Sequence, residues 1–257
     1  MQFIDTHSHI YLEEYQSDRK KVIENSLKSG VCQLFLPNIN LESIEPMLAV
    51  CRQYPTVCYP MLGLHPCDVK EDYKDILKLM FQQFDNHRFI AIGEVGIDLY
   101  WDKTFLQFQK DALRYQIEFA LGKNLPIIIH KRQSYYEVMS VLDEFKGCSL
   151  KGIFHCYSGS VEHAKEVIER GFLLGIGGTV TYKSSKLDEI LPSVALSDIV
   201  LETDSPFLTP APYRGQRNSS AYIPIIAEKI AQIMQSQIEV IARKTTENAI
   251  KLFNLNL

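Results

Sequence analysis

The chain has 257 residues, 46% of them hydrophobic, which is enough for a sizeable core. Its formal net charge of −4 supplies no global positive field to draw it onto nucleic acid or an anionic membrane, so any recognition of phosphate has to be local. No apolar stretch approaches the length needed to span a bilayer, and the first residues carry neither a basic nor an apolar segment of signal type, so the expectation is a cytoplasmic protein.

Eight short apolar runs alternate with amphipathic stretches: Gln2 to Asp5, Val31 to Leu36, Val57 to Leu62, Phe89 to Ile92, Pro126 to Ile129, Gly152 to Phe154, Phe172 to Ile176 and Ile199 to Leu201. They are rich in Ile, Val, Leu and Phe without period-two alternation, which suits strands buried on both faces of a parallel sheet. Between the fourth and fifth runs, Phe105, Phe108, Ala112, Tyr115 and Phe119 step by three and four along one helix face, and Ile223, Ile226, Ala227, Ile230 and Met234 do so after the eighth. Gly122 and Gly171 are placed to end helices. Ser236-Gln237-Ile238-Glu239 fits a capping box that opens a last helix with Ile238, Ile241, Ala242, Thr245 and Ala249 on its apolar face. These alternations predict one (β/α)8 barrel domain over residues 1–257, with extra C-terminal helices and a site at the C-terminal ends of the strands. The longest irregular stretch, Thr203 to Ala221, follows the eighth run, where a long loop serves such a site.

Ligand-type residues stand at those ends: His7 and His9 after the first run, Glu94 after the fourth, His130 after the fifth, His155 after the sixth and Asp204 after the eighth. Residues i and i+2 of a strand share a face, so His7 and His9 point together and can grip one divalent cation, with carboxylates completing a mixed N/O set. An isolated His-x-His means little, because histidines at a strand end are commonly ordinary surface or core residues. Six ligand types converging on one barrel mouth point instead to a metallohydrolase. A carboxylate can bridge two cations that clamp a phosphoryl transfer, and Glu94 is the expected bridge. Asp204 is expected to bind one cation and to orient or deprotonate the attacking water.

On the substrate side, Arg132, Arg214 and Arg217 offer fork-like donors to phosphate, although each taken singly reads equally well as a solvated loop charge. His65, at the end of the third run, can reach a phosphate or the attacking water, or be structural. Tyr100 and Trp101 can stack on an unpaired base or simply pack their loop. His87 and His163 fall outside the strand ends and receive no role. The six cysteines Cys32, Cys51, Cys58, Cys67, Cys148 and Cys156 form no C-x-x-C pair and are read as reduced. Cys67 near His65 and Cys156 beside His155 are weighed as ligands or nucleophiles, with a small apolar role preferred.

The motifs Phe3-Ile4-Asp5-Thr6-His7-Ser8-His9, Gly63-Leu64-His65-Pro66, Gly93-Glu94-Val95-Gly96-Ile97-Asp98, Ile129-His130-Lys131-Arg132, Phe154-His155-Cys156-Tyr157-Ser158-Gly159 and Glu202-Thr203-Asp204-Ser205-Pro206-Phe207-Leu208 resemble those of the TatD family of metal-dependent deoxyribonucleases, within the amidohydrolase superfamily. The resemblance runs end to end and includes Arg214-Gly215-Gln216-Arg217-Asn218 and Thr246-Glu247-Asn248-Ala249. It implies a hydrolase that cuts DNA, often from the 3′ end and on single-stranded or frayed ends, with His7, His9, Glu94, His130, His155 and Asp204 as ligands of two divalent metal ions. Zinc, magnesium and manganese all remain open, histidines suiting zinc or manganese and magnesium preferring oxygen. Leu99 departs from the aromatic residue frequent after Gly-Ile-Asp, and Phe207 stands where tyrosine is frequent. DNA is the expected partner, with no membrane and no obligate protein partner. Two rivals keep the fold: a metal-dependent amidohydrolase or esterase, for example one that deacylates D-aminoacyl-tRNA, and a nucleic-acid-binding barrel without turnover. The second fits poorly, since unused charged ligands would incur desolvation and repulsion without a cation.

Overall fold

Runs of branched apolar residues pack side chains on both surfaces of a sheet, and here they do so around a closed ring. A computed structural model describes residues 1–255. Its strands are β1 (Phe3–Asp5), β2 (Val31–Pro37), β3 (Cys58–Met61), β4 (Ile92–Asp98), β5 (Ile127–Arg132), β6 (Gly152–Phe154), β7 (Phe172–Ile176) and β8 (Ile199–Leu201). Each of the first seven is followed by its helix: α1 (Arg19–Lys28), α2 (Ile44–Gln53), α3 (Tyr73–Phe81), α4 (Leu106–Lys123), α5 (Tyr135–Leu142), α6 (Val161–Glu169) and α7 (Leu187–Ile190); α8 (Ile223–Ile233) and α9 (Ile238–Phe253) follow β8. Parallel ladders join β1 to β3 and β4 to β8. Backbone hydrogen bonds close the two seams: Leu62 N–H donates to Ala91 O and Gly93 N–H to Leu62 O, while Thr6 N–H donates to Leu201 O and Asp204 N–H to His7 O. The result is a (β/α)8 barrel.

Ile4, Phe35, Met61, Ala91, Ile128, Ile153 and Val200 fill the barrel, and Ala249 and Phe253 of α9 join the same cluster. The alternate residues, among them Phe3, Leu34, Leu36, Ile127, Ile129, Leu174 and Leu201, pack outward against the helices. The Phe253 ring meets Phe35 edge-on at 4.6 Å. Asn248 Nδ2 donates to Leu196 O and Ile199 O, fixing α9 beneath β8. The last helix thus plugs the N-terminal mouth and leaves the C-terminal mouth for chemistry. Among the described residues, no helix is long and apolar enough to cross a membrane.

Three local expectations are corrected. The fourth run was expected to end at Ile92, before Glu94, yet β4 continues to Asp98 because Val95 to Asp98 pair in register with Ile129 to Arg132 of β5. Glycine here serves close approach of the strands: a Cβ on Gly96 would lie 1.9 Å from His130 O. Gly122 lies inside the last turn of α4, which ends at Asn124 in the left-handed region, a conformation that a short polar side chain tolerates. No capping box opens α9. Its N-cap is Gln237 without a side-chain bond, because Ser236 belongs to the end of α8, donating its N–H to Ala231 O. Gly171, by contrast, follows α6 at φ +86, as its position suggested.

If α9 is the floor of the barrel, Phe253→Ala should lower stability by about 3–5 kcal/mol, the usual cost of emptying a large aromatic site. Urea unfolding followed by circular dichroism measures this, and zinc binding by the folded variant should be unchanged.

Candidate metal centre

The extended backbone of β1 carries on past Asp5. Ser8 N–H donates to Phe35 O and His9 N–H to Ser205 O, holding this segment between β2 and the β8 loop. His7 and His9 therefore project together, with their Nε2 atoms 3.1 Å apart. Glu94 Oε2 lies 3.2 Å from His7 Nε2 and 3.7 Å from His9 Nε2, and Asp204 Oδ1 lies 3.7 and 3.5 Å from the same two atoms. Four donors arranged tetrahedrally at ~2.0–2.2 Å from a cation stand roughly 3.3–3.6 Å from one another. His7, His9 and Glu94 form a group able to hold a metal ion, with Asp204 beside the two histidines.

The second oxygen of Glu94 faces elsewhere. Oε1 is 2.7 Å from His130 Nδ1, 3.5 Å from His65 Nε2 and 3.8 Å from His155 Nε2. His155 Nε2 also stands 3.8 Å from Asp204 Oδ1. His65, Glu94 and His130 form a second group able to hold a metal ion, and His7, His155 and Asp204 a third. One additional residue on β4 between Ile92 and Val95, relative to β5, is the local irregularity that accompanies the inward aim of Glu94.

Further side chains brace these groups, and the sequence reading passed over them. Tyr11 donates its O–H to Pro37 O at 2.7 Å and lies 3.0 Å from His9 Nδ1, an arrangement that makes Nδ1 the protonated nitrogen and turns the Nε2 lone pair inward. Glu202 Oε1 sits 3.1 Å from His155 Nδ1 and accepts the Cys156 N–H at 2.6 Å. Only a glycine at 175 leaves room for it, since a Cβ there would stand 2.2 Å from Glu202 Oε2. Asp98 Oδ2 lies 2.9 Å from His130 Nε2. Asp5 accepts the N–H groups of His7 and Thr203 and the Thr203 hydroxyl, tying β1 to β8 beneath the site. Two of these carboxylates were within reach of the period-two rule: Glu202 stands two residues before Asp204, and Asp98 four after Glu94.

Charge is concentrated in this small volume. Burial alone would raise the Glu94 carboxyl, but His7, His65 and His155 around it and the bond to His130 hold it well below the usual carboxylate range. His155 and His9 do the same for Asp204 against its burial. Burial works to lower His155, yet Glu202, Glu94 and Asp204 overcome it and push the imidazole up to about 10. His130 is also raised, Asp98 and Glu94 outweighing burial. His7 is pushed down by burial and by its neighbour His155. Burial, then Asp98, pushes Cys67 up to about 12, and Cys156 is raised further by burial and Asp204. These thiols therefore stay neutral, against a nucleophilic role. All six cysteines are free.

A cavity of about 810 Å³ opens above the cluster, bordered by His9, His65, Glu94, His155 and Asp204, with Trp101 and Arg132 on its rim. The Arg132 guanidinium lies 3.8 Å over the Tyr100 ring and 5.4 Å from that of Trp101, which is 71% exposed. Arg214 stacks on Tyr182, itself a wall of the cavity, at 4.3 Å. Arg217 is engaged elsewhere: it pairs with Asp18 at 2.6 Å, donates to Glu14 O and lies over Tyr15. It fastens the β8 loop to the segment after β1.

The profile of the family described as TatD related DNase matches residues 4–254. The chain belongs to this family. A Bacillus subtilis relative, "Uncharacterized metal-dependent hydrolase YabD", is 36% identical to this TatD-family chain over 98% of its length and 99% of the relative's. The "3'-5' ssDNA/RNA exonuclease TatD" of Pantoea ananatis is 27% identical over 94% and 95% of the two chains. Among solved structures, the TatD homologue YjjV of Escherichia coli K12 superposes with a TM-score of 0.92 at 26% identity, covering 99% of this chain and 98% of that one. The protein is a metal-dependent hydrolase of the TatD family.

The acidic surroundings raise His155 and His130, so if these two are ligands metal uptake displaces protons from them. At pH 7.5, below the value of about 10 reached by His155, zinc binding to metal-stripped protein should release at least about one proton. Calorimetry in buffers of different ionisation enthalpy reads this directly. A binding enthalpy indifferent to the buffer would show that His155 and His130 hold no proton for a cation to displace.

Proposed function

We propose that this TatD-family protein is a deoxyribonuclease that removes nucleotides from the 3′ end of single-stranded or frayed DNA, using two divalent cations bridged by Glu94. The observation that carries the reading is the division of Glu94, with Oε2 turned to His7 and His9 and Oε1 to His130 and His155. On this reading His7, His9, Glu94 and Asp204 hold one cation, and Glu94, His130 and His155 the other. Bound cations supply Lewis-acid charge for the phosphate oxygens and lower the pKa of a water molecule.

The chain's own side chains do the rest. Asp204 lies within 3.8 Å of imidazoles from both sets and faces the cavity, ionised, so its carboxylate can orient the attacking water and accept its proton. Glu94 stays ionised and keeps the two ligand sets in fixed relation. Arg132 presents its guanidinium to phosphate oxygens, and Trp101 offers an exposed ring to an unpaired base. His65, beside Glu94 and His130, reaches the same phosphate, and Arg214 on Tyr182 gives a second cationic contact. Arg217 is left out of the substrate contacts because its guanidinium is spent on Asp18 and Glu14.

A cleft of about 810 Å³ is ligand-sized, which suits a terminal nucleotide rather than the middle of a duplex. The names of relatives from Pantoea ananatis and Dickeya dadantii, both "3'-5' ssDNA/RNA exonuclease TatD", support the polarity and the single strand. Six free thiols suit a reducing compartment, the cytoplasm.

Metal-reconstituted protein given labelled single-stranded DNA, duplex DNA, RNA and an aminoacyl ester should release mononucleotides from the 3′ end of the first, and chelation should stop it. Cleavage of the ester alone, or full DNA hydrolysis by metal-stripped protein, would sink the reading. Glu94→Gln should reduce kcat on the order of 10³-fold, as removal of preorganised charge at a reacting centre does. Arg132→Ala should act mainly on KM, by about 1–3 kcal/mol, and flatten its salt dependence.

A further inference from the structure

Asp98 stands where two parts of the molecule meet. It closes β4, is 2% exposed, and is held by Gln109 of α4, whose Oε1 accepts the Asp98 N–H at 2.9 Å and whose Nε2 donates to Asp98 O at 3.2 Å. With its backbone so fixed, the carboxylate points two ways. Oδ2 lies 2.9 Å from His130 Nε2. Oδ1 accepts the backbone N–H of Tyr100 at 2.8 Å and, more weakly, that of Trp101 at 3.4 Å. Arg132, opposite Asp98 in the β4–β5 register, stacks on both of those aromatic rings from the neighbouring strand.

A carboxylate can only accept at Nε2. It therefore requires a proton on Nε2. Nδ1, 2.7 Å from Glu94 Oε1, faces a carboxylate as well, but that carboxylate belongs to the candidate ligand cluster, so the Nδ1 proton is the one a cation would displace while Asp98 keeps the proton on Nε2. An amide at position 98 has no such preference: its NH₂ group can donate to Nε2, and the imidazole would then carry its proton on Nδ1, the nitrogen turned to Glu94. The first turn of the rim loop hangs on the other oxygen of the same group.

We propose that Asp98 is a positioning residue that fixes His130 for metal binding with one oxygen and the Tyr100–Trp101 rim with the other, so that occupancy of the second metal site is felt at Trp101. The inference rests on the reading of His130 as a ligand. It adds a mechanical link between the centre that cuts and the ring offered to the base. A nucleotide stacked on Trp101 and a cation on His130 pull on the two ends of one carboxylate.

Trp101 is the only tryptophan in the chain, so its fluorescence reports this rim without labelling. Zinc titrated into the metal-stripped full-length protein should change Trp101 emission as the second equivalent binds, with stoichiometry followed by equilibrium dialysis. Asp98→Asn should retain the first equivalent, weaken the second about 10–100-fold, as loss of a ligand's hydrogen-bond partner does, and abolish the emission change. Wild-type affinity for both equivalents in Asp98→Asn, or wild-type emission indifferent to zinc, would overturn the inference. Should Asp98→Asn fail to fold, side-chain 15N spectra of zinc-loaded wild type decide: His130 protonated on Nε2 with zinc on Nδ1 is expected, and the reverse overturns it. None of these readouts uses nucleic acid. A protein that shows them all but cuts no DNA would sink the nuclease reading and leave the role of Asp98 standing.

Discussion

A buried carboxylate shared by two sets of imidazoles is the constraint on which the rest depends. Glu94 is only 3% exposed and has His7 and His9 on one side and His65, His130 and His155 on the other. Ionised at that depth, it would be costly unless positive charge surrounded it. No lysine or arginine pairs with it among the described residues. The charge is left to imidazoles, which give up protons near neutrality and can exchange them for cations. An arginine in the same place would satisfy Glu94 permanently and leave nothing for a metal to replace.

Holding Glu94 there places demands on its neighbours. Its N–H reaches Asn38 O at 3.4 Å, and Asn38 Oδ1 accepts the Gly63 N–H at 2.7 Å, so the ends of β2, β3 and β4 are fastened around it. Gly96 lets β4 run close enough to β5 to bring His130 alongside, and Gly175 leaves space for Glu202 behind His155. Such a polar layer contributes little net stability, because buried charges roughly cancel their own desolvation cost. Stability has to come from below, where Ile4, Phe35, Ile128, Ile153 and Val200 close on Phe253 of α9. The barrel thus separates an apolar floor that holds the fold from a charged ceiling that carries chemistry.

The fold was legible because burial on both strand faces writes continuous apolar runs, and seven of the eight observed strands overlap those runs closely. β4 is the instructive exception: its apolar run stops at Ile92, while pairing with β5 carries the strand on through Gly93-Glu94-Val95-Gly96 to Asp98. The candidate ligands were legible from chemistry and placement, since the structure gathers His7, His9, Glu94, His130, His155 and Asp204 at one mouth. The bracing carboxylates Asp98 and Glu202 share strand faces with Glu94 and Asp204 by the period-two rule, but acidic residues at strand ends are common and it is proximity to a histidine that marks these two. The arginines divide for the same reason. Composition cannot tell Arg132, stacked at the rim, from Arg217, which has found Asp18 199 residues away along the chain.

Charge also dictates an order of events on the proposed reading. The chain is acidic overall at −4; Glu94, Asp98 and Asp204 line the cavity, with Glu202 behind His155. Protonated imidazoles offset these carboxylates only in part, so the floor is a poor destination for a phosphate; Lys131 and Lys186 in the cavity wall and Arg132 at the rim are the attractions outside it. Two divalent cations add four positive charges while displacing the imidazole protons, which cancels the four carboxylates and takes the floor from net negative to about neutral. Nucleic acid should therefore engage productively only after the ions are in place, with the exposed rim making first contact. A site that repels its substrate until it is loaded protects a nuclease from holding strands that it cannot cut.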